Sequence, residues 1–182
     1  MNLLTQINYA RLLVVILACS ATNALAEGHS EYSPLIQEAC FASDASVLER
    51  YQSQQLWVQE CPMRFGYRVF VVSSDSRSWL ELEKSGQFWS SEQAIVYQHA
   101  IGQFPNIADN AQAEWRLDSS NQPTALIFRV NALNPDVSAQ DANAKLSRLY
   151  VFRLGSQYPC FLGVATDNQT ARNLADSGQQ CQ

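Results

Sequence analysis

Hydrophobic and polar residues alternate through the middle of the chain, which is the pattern of β-strands with one buried face. Residues 67–72 are rich in β-branched and aromatic side chains, and residues 79–83 alternate before a Gly-containing turn. Residues 114–117 and 124–130 flank the polar segment 118–123, which is rich in turn-forming residues and ends in proline. These segments predict an antiparallel sheet that includes at least one hairpin.

The C-terminal part repeats this arrangement and then changes to a helical pattern. Residues 149–154 and 160–165 flank a short turn segment and predict a second hairpin. Thr166 and Gln169 have the spacing of a capping box, which predicts a final helix that ends near Gly178.

Helical signals also precede the strands. Proline tolerates the first helical position, so Ser33-Pro34 predicts a short helix that carries Cys40. Ser43 or Asp44 can cap a second helix, whose apolar residues recur over residues 47–57.

Three central segments have weaker patterns. Residues 91–97 fit a strand or a short helix, and we favour the strand. Residues 104–106 and 131–145 contain proline and small polar residues and are predicted as loops. The whole pattern predicts an α+β fold with a mainly antiparallel sheet of about five to seven strands, short N-terminal helices and a C-terminal helix.

Residues 1–26 have the three parts of a secretory signal: Arg11, an apolar run over residues 12–18, and the exit Ala24-Leu25-Ala26. We therefore expect a signal peptide over residues 1–26, a single globular domain over residues 27–182, and a periplasmic or secreted protein. Cys19 offers an alternative, because Ile16-Leu17-Ala18-Cys19 resembles a bacterial lipoprotein processing site and would anchor the protein in the envelope through a lipid. The apolar run is too short to span a bilayer, which takes about 20 residues, so we expect membrane attachment only through a lipid on Cys19.

Export would place the four remaining cysteines in an oxidising compartment. Four cysteines allow three pairings, and we favour the two between sequence neighbours, Cys40 with Cys61 and Cys160 with Cys181. Each such bridge is worth roughly 3 kcal/mol through the unfolded state. The crossed pairings stay open on the sequence alone.

Charge narrows the class of partner. Removing Arg11 with the leader leaves eleven basic and seventeen acidic residues, a formal charge of −6 without charged runs. Because nucleic-acid binding needs a basic patch, we expect no nucleic-acid partner.

Residues for catalysis are sparse. His29 and His99 are the two histidines, and the sequence contains neither a Gly-x-Ser-x-Gly motif nor histidines at zinc-ligand spacing. Glu81 and Glu83 would project from one strand face about 6 to 7 Å apart, a separation that glycosidases use. We interpret them as the solvent-facing side of an amphipathic strand, and keep a carboxylate-dependent hydrolase acting on the cell wall as an alternative.

Cleavage after Ala26 would expose Glu27-Gly28-His29 as a new amino terminus. The free amine, two backbone nitrogens and the imidazole can form a square of four nitrogen ligands, which suits Cu(II). Periplasmic Cu(II) binding is therefore a second alternative function, and we expect no other cofactor.

Aromatic residues are the remaining candidates for recognition, and we expect Phe88, Trp89 and Trp115 to contribute a binding surface. The leading hypothesis is a non-catalytic envelope protein, an inhibitor or accessory factor, that binds another envelope protein or a cell-wall component.

Five short motifs resemble a family of small, functionally uncharacterised exported proteobacterial proteins. The resemblance implies a periplasmic setting and assigns no catalytic residue. The motifs are Gly66-Tyr67-Arg68-Val69-Phe70-Val71, Arg77-Ser78-Trp79-Leu80, Phe104-Pro105-Asn106, Glu114-Trp115-Arg116, and the tail Ala171-Arg172 with Ala175-Asp176.

Overall fold

Ten strands form two antiparallel sheets in the computed structural model, which describes residues 28–138, 141, 144–155 and 158–182. The first sheet contains β1 (His29–Pro34), β6 (Gln103–Ile107), β7 (Gln112–Leu117), β8 (Pro123–Leu133), β9 (Lys145–Arg153) and β10 (Cys160–Ala165). The second contains β2 (Trp57–Arg64), β3 (Tyr67–Ser74), β4 (Arg77–Lys84) and β5 (Gln87–Ser90). The helices are α1 (Ala45–Gln52), a π-helix (Gln93–Gln98) and α2 (Asn168–Asp176).

The strand order in the six-stranded sheet is β1-β7-β8-β9-β10, and β6 pairs with β8 as well. Both partners fit because β8 is eleven residues long. Its first part pairs with β7 and its last part pairs with β6. The four-stranded sheet is a simple meander in the order β2-β3-β4-β5.

The two sheets pack face to face around one core. The Tyr67 ring lies 5.7 Å from the Trp115 ring, and the Trp89 ring meets Phe152 edge-on at 4.9 Å, so residues of one sheet contact residues of the other. Alternate residues of each strand face outward, where a helix covers each sheet. Helix α2 buries Ala171 against the six-stranded sheet, and α1 packs on the outer face of the four-stranded sheet.

Both disulfides fasten a chain segment onto the edge of a sheet. Cys40–Cys61 holds Phe41 beside β2, where Phe41 exchanges two backbone hydrogen bonds with Glu60. Cys160–Cys181 holds the C-terminal tail beside β10, where the backbone N–H of Gln182 donates to the Phe161 carbonyl. Edge strands expose unpaired backbone groups, so the bridges stabilise the fold and also cover part of two edges.

The α+β class, the antiparallel pairing, the C-terminal helix and both favoured disulfides are confirmed. The ten strands exceed the expected five to seven because they are shared between two sheets. None of the helices in the described part of the chain has the length and apolarity that a membrane crossing requires.

Three local predictions were wrong, two of them because a distant strand decided the conformation. Ser33-Pro34 ends strand β1 instead of starting a helix, since β1 pairs with β7. Residues 93–98 form a π-helix that buries Ala94 and Ile95, and residues 104–106 belong to β6 through pairing with β8. Pairing across the sheet outweighed local propensity at residues 33–34 and at residues 104–106.

Both regular helices are capped by aspartate. The Asp44 carboxylate accepts from the Val47 N–H at 3.1 Å, as one of the two predicted caps. The Asp167 carboxylate accepts from the Thr170 N–H at 2.9 Å, one residue after the predicted cap Thr166. An ionised acceptor at this position also interacts favourably with the helix dipole.

Candidate functional site

Helix α1 ends beside the start of β2, and the chain between them forms one side of an apolar groove. Gln55 has a left-handed backbone (φ 59°), and the Leu56 N–H donates to the Tyr51 carbonyl, so the chain reverses tightly. This turn places Trp57 next to the last turn of the helix. The groove has a volume of about 380 Å³. It is lined by four apolar residues and two glutamines: Leu48, Leu56, Trp57, Val58, Gln52 and Gln55.

Trp57 is the most exposed large hydrophobic residue of those described, with 79% of its surface accessible. Its neighbours in the groove, Leu56 and Val58, are half-buried. An indole held at the surface beside an apolar groove is a typical anchor for a binding partner, because burying it removes a large apolar area from water.

The backbone of β2 is open at this end. β2 is an edge strand, and Glu60 directs its N–H and C=O away from β3 toward Phe41. Residues two apart in a strand direct their backbone groups to the same side. Val58 therefore presents its N–H and C=O on the same edge as Glu60, and within the described chain no segment pairs with Val58 there.

The predicted binding residues do not form one surface. Trp115 is fully buried and its indole N–H donates to the Ser33 hydroxyl at 2.9 Å, so its predicted place in a binding surface was wrong. Phe88 is half-buried on the outer face, beneath the Arg50 guanidinium at 3.8 Å. Trp89 lies on the opposite face and lines a cleft between the sheets. Strand alternation separates Phe88 from Trp89, and the second sheet covers Trp115.

Glu81 is buried, contrary to the expectation that it faces solvent. Only 8% of its surface is accessible, because α1 packs over this face of β4. Tyr51 of α1 donates its hydroxyl to one carboxylate oxygen at 2.5 Å, and Trp79 donates its indole N–H to the other at 3.0 Å. Burial and the bond to Glu81 raise the pKa of Tyr51. Both oxygens of Glu81 are thus engaged in the fold.

Glu83 is oriented by different partners. Its carboxylate accepts from the Gly86 N–H at 2.6 Å in the β4–β5 turn and lies 3.9 Å from Arg68. The charge of Glu81 also affects Glu92, whose pKa is raised mainly by burial and secondly by that charge. The hypothesis of a hydrolase that uses Glu81 and Glu83 stays a prediction; wall-fragment release by Glu81→Gln would test it.

A second buried polar network holds α2 on the six-stranded sheet. Arg116 binds Asp176 through two guanidinium nitrogens, and Arg172 donates to Glu114 at 2.6 Å. Ser30 links the two pairs, since it donates to Glu114 and accepts from Arg116. Each charge in the network has an opposite charge beside it, which is the arrangement of a structural support for the helix.

The remaining candidates lie partly within and partly outside the described residues. His29 is an exposed residue of β1 that pairs with Leu117, whereas Glu27 and Cys19 lie outside the described residues. The copper and lipidation hypotheses therefore stay predictions. The His99 ring stacks on Phe161 at 4.3 Å, and in the described part of the chain three or more His, Cys, Asp or Glu residues do not gather into a metal-binding group.

The groove at Trp57 was missed from the sequence. The apolar pattern of α1 continues through residues 56–57, so the sequence pattern places Leu56 and Trp57 in the helix. In the structure, helix α1 ends at Gln52. The polar segment of residues 53–55 was the signal in the sequence that the helix ends before Trp57.

Comparison of the chain with protein families, with curated proteins and with solved structures gives no match.

Proposed function

We propose that this protein is an exported, non-catalytic binding protein that captures an extended segment of a partner polypeptide at the groove beside Trp57. The observation that carries the proposal is the exposed indole of Trp57, 79% accessible, next to the open backbone of Val58. The secretory leader and the two disulfides support a periplasmic or secreted location.

The open edge of β2 supports an extended partner. Phe41 pairs with Glu60 on this edge through backbone hydrogen bonds of 2.8 and 2.9 Å, so the edge accepts an antiparallel residue. A partner strand could continue this pairing at Val58 by strand addition, in which backbone bonds supply affinity and side-chain pockets supply specificity.

The groove supports a partner with at least one apolar side chain. Its apolar walls come from Leu48, Leu56 and Val58, while Gln52 and Gln55 supply polar groups. Amides of this kind can bond the backbone of the partner without demanding a charge. The partner class is therefore an extended polypeptide with an apolar anchor, as expected of an envelope protein bound by an inhibitor or accessory factor.

The test is a pull-down from oxidised periplasmic extract with wild type, Trp57→Ala and Tyr97→Ala. Trp57→Ala removes the exposed anchor, and Tyr97→Ala removes another exposed aromatic, 64% accessible, that lies outside the groove. We expect one identified protein to bind wild type and Tyr97→Ala, and its affinity for Trp57→Ala to fall about 30-fold, as for a hot-spot tryptophan.

A peptide from the identified partner then tests the mode of binding. On peptide addition, hydrogen exchange at the Val58 amide should slow, because this N–H becomes bonded in the new ladder. Equal binding by wild type and Trp57→Ala, or repeated recovery of no specific partner, would overturn the proposal.

A further inference from the structure

A second cleft, of about 350 Å³, opens between the two sheets, away from the groove at Trp57. The β4–β5 hairpin forms one wall with Lys84, Gln87 and Trp89, and Gly155, Tyr158 and Pro159 line the other. Tyr67 lies at the base, 93% buried. The cleft thus joins aromatic walls to polar groups, which is the composition of a small-molecule site.

Two polar groups of the cleft are unsatisfied by the fold. Within the described chain, neither the Tyr67 hydroxyl nor the Trp89 indole N–H makes a hydrogen bond. Among those residues, the fully buried side-chain atom without a partner is the Ser43 hydroxyl, which lies outside the cleft. Burial of Tyr67 raises its pKa, which keeps the phenol protonated and able to donate.

The charge of the cleft is positive in an acidic protein. The Lys84 ammonium lies 4.3 Å from the centre of the Tyr67 ring, and none of the carboxylates described comes within ion-pair distance of it. Nine described residues line the cleft, and none is Asp or Glu. Lys84, Tyr67, Trp89 and Gln87 can all donate hydrogen bonds, so the cleft presents donors to its occupant.

We propose that this cleft binds a small ligand in which a carboxylate is attached to a ring with an apolar face. The carboxylate accepts from Lys84 and Tyr67, and the ring lies against the aromatic walls at Trp89 and Tyr158. An acidic sugar of the cell wall and a free aromatic acid share this chemistry. The proposal is independent of the peptide groove, since the two sites share no lining residue.

The test is titration of the oxidised, processed protein with three probes, followed by calorimetry and by the NMR signal of the Trp89 indole N–H. N-acetylmuramic acid and benzoate represent the two sources of the carboxylate, and N-acetylglucosamine is the neutral counterpart of the first. We expect one or both acids to bind with a Kd of about 1 mM or tighter, a normal affinity for ligands of this size. The acid that binds more tightly identifies the source.

Lys84→Met should weaken binding of the acid at least tenfold, because the charge-assisted bond is lost. Tyr67→Phe should weaken it several-fold without unfolding the protein, since the Tyr67 hydroxyl makes no bond within the described fold. Lys145→Met is the matched control, because Lys145 is an exposed lysine outside the cleft. The proposal is overturned if neither acid saturates a site, if N-acetylglucosamine binds as tightly as the acids, or if Lys84→Met and Lys145→Met bind equally.

Discussion

Replacing Tyr51 with phenylalanine tests whether the buried Glu81 carboxylate depends on its hydrogen bonds. Tyr51 is 2% accessible and Glu81 is 8% accessible, and the hydroxyl donates to the carboxylate at 2.5 Å. Phenylalanine keeps the ring and its packing on Phe70, so the change removes the donor alone. Trp79 would then be the remaining side-chain donor to Glu81.

A hydrogen bond to a charged group contributes about 1.5 to 3 kcal/mol, and an unsatisfied buried acceptor costs a similar amount. We therefore expect Tyr51→Phe to lower the free energy of unfolding by about 2 to 3 kcal/mol at pH 7. Urea denaturation with both disulfides intact measures this change. Tyr97→Phe is the control, because Tyr97 is 64% exposed and its hydroxyl lies 3.5 Å from Glu92; its expected effect is below about 0.5 kcal/mol.

The same variant should change the response to alkaline pH. Burial and the bond to Glu81 raise the pKa of Tyr51 in the folded protein above the unfolded value of about 10. The stabilising contribution of Tyr51 is thus complete below about pH 10 and is lost as the pH rises further, by about 1.4 kcal/mol per pH unit. The difference in stability between wild type and Tyr51→Phe should shrink correspondingly above pH 10.

Glu81→Gln separates the charge from the packing. In this background Tyr51 faces a neutral amide, so the cost of Tyr51→Phe should fall to about 1 kcal/mol. An unchanged cost, a cost below about 0.5 kcal/mol in the wild-type background, or a difference that stays constant with pH would refute the explanation of how Glu81 is stabilised.

Two further predictions concern backbone packing and acid stability. Gly102→Ala would place a methyl group against the Leu133 carbonyl oxygen, and should lower the free energy of unfolding by about 2 kcal/mol or more. Gly155→Ala, whose new methyl group would lie 3.7 Å from the Tyr158 carbonyl oxygen, should change it by less than about 0.5 kcal/mol in the same urea experiment. Bonds from Ser46 and then from the Val47 N–H lower the pKa of Asp44 to about 2, so its stabilising contribution is present above about pH 4 and is lost as the pH falls toward 2. Acid unfolding curves should therefore show the stability of wild type approaching that of Asp44→Asn over this range, and a gap that persists at pH 2 would contradict the prediction.

Strand alternation and cysteine spacing predicted much of the fold because both are local properties. The hairpin of β7 with β8 and that of β9 with β10 follow from period-two patterns on each side of a turn. The two disulfides follow from pairing neighbours in sequence. The division of the strands into two sheets was not predicted, since it depends on which outer strands meet across the core.

The candidate site was less predictable than the fold. Trp115 and Trp57 are both tryptophans in amphipathic segments, yet one is fully buried and the other is 79% exposed. The difference comes from position: the second sheet covers Trp115, whereas Trp57 begins an edge strand at the corner left by α1. Propensity and hydrophobicity do not distinguish these environments, because neither contains information about distant neighbours.

The sequence by itself determined the α+β class, the strand-rich centre and the helix after β10, because periodicity, capping and short loops act over a few residues; it favoured the pairing of cysteines close along the chain without excluding the crossed pairings. Tertiary structure decided which residues are available for function. Glu81 follows the alternation of a strand with a solvent-facing side, but α1, thirty residues earlier at Tyr51, covers it. The open edge at Val58 and the donor-lined cleft at Lys84 arise in the same way, from segments that packing leaves uncovered.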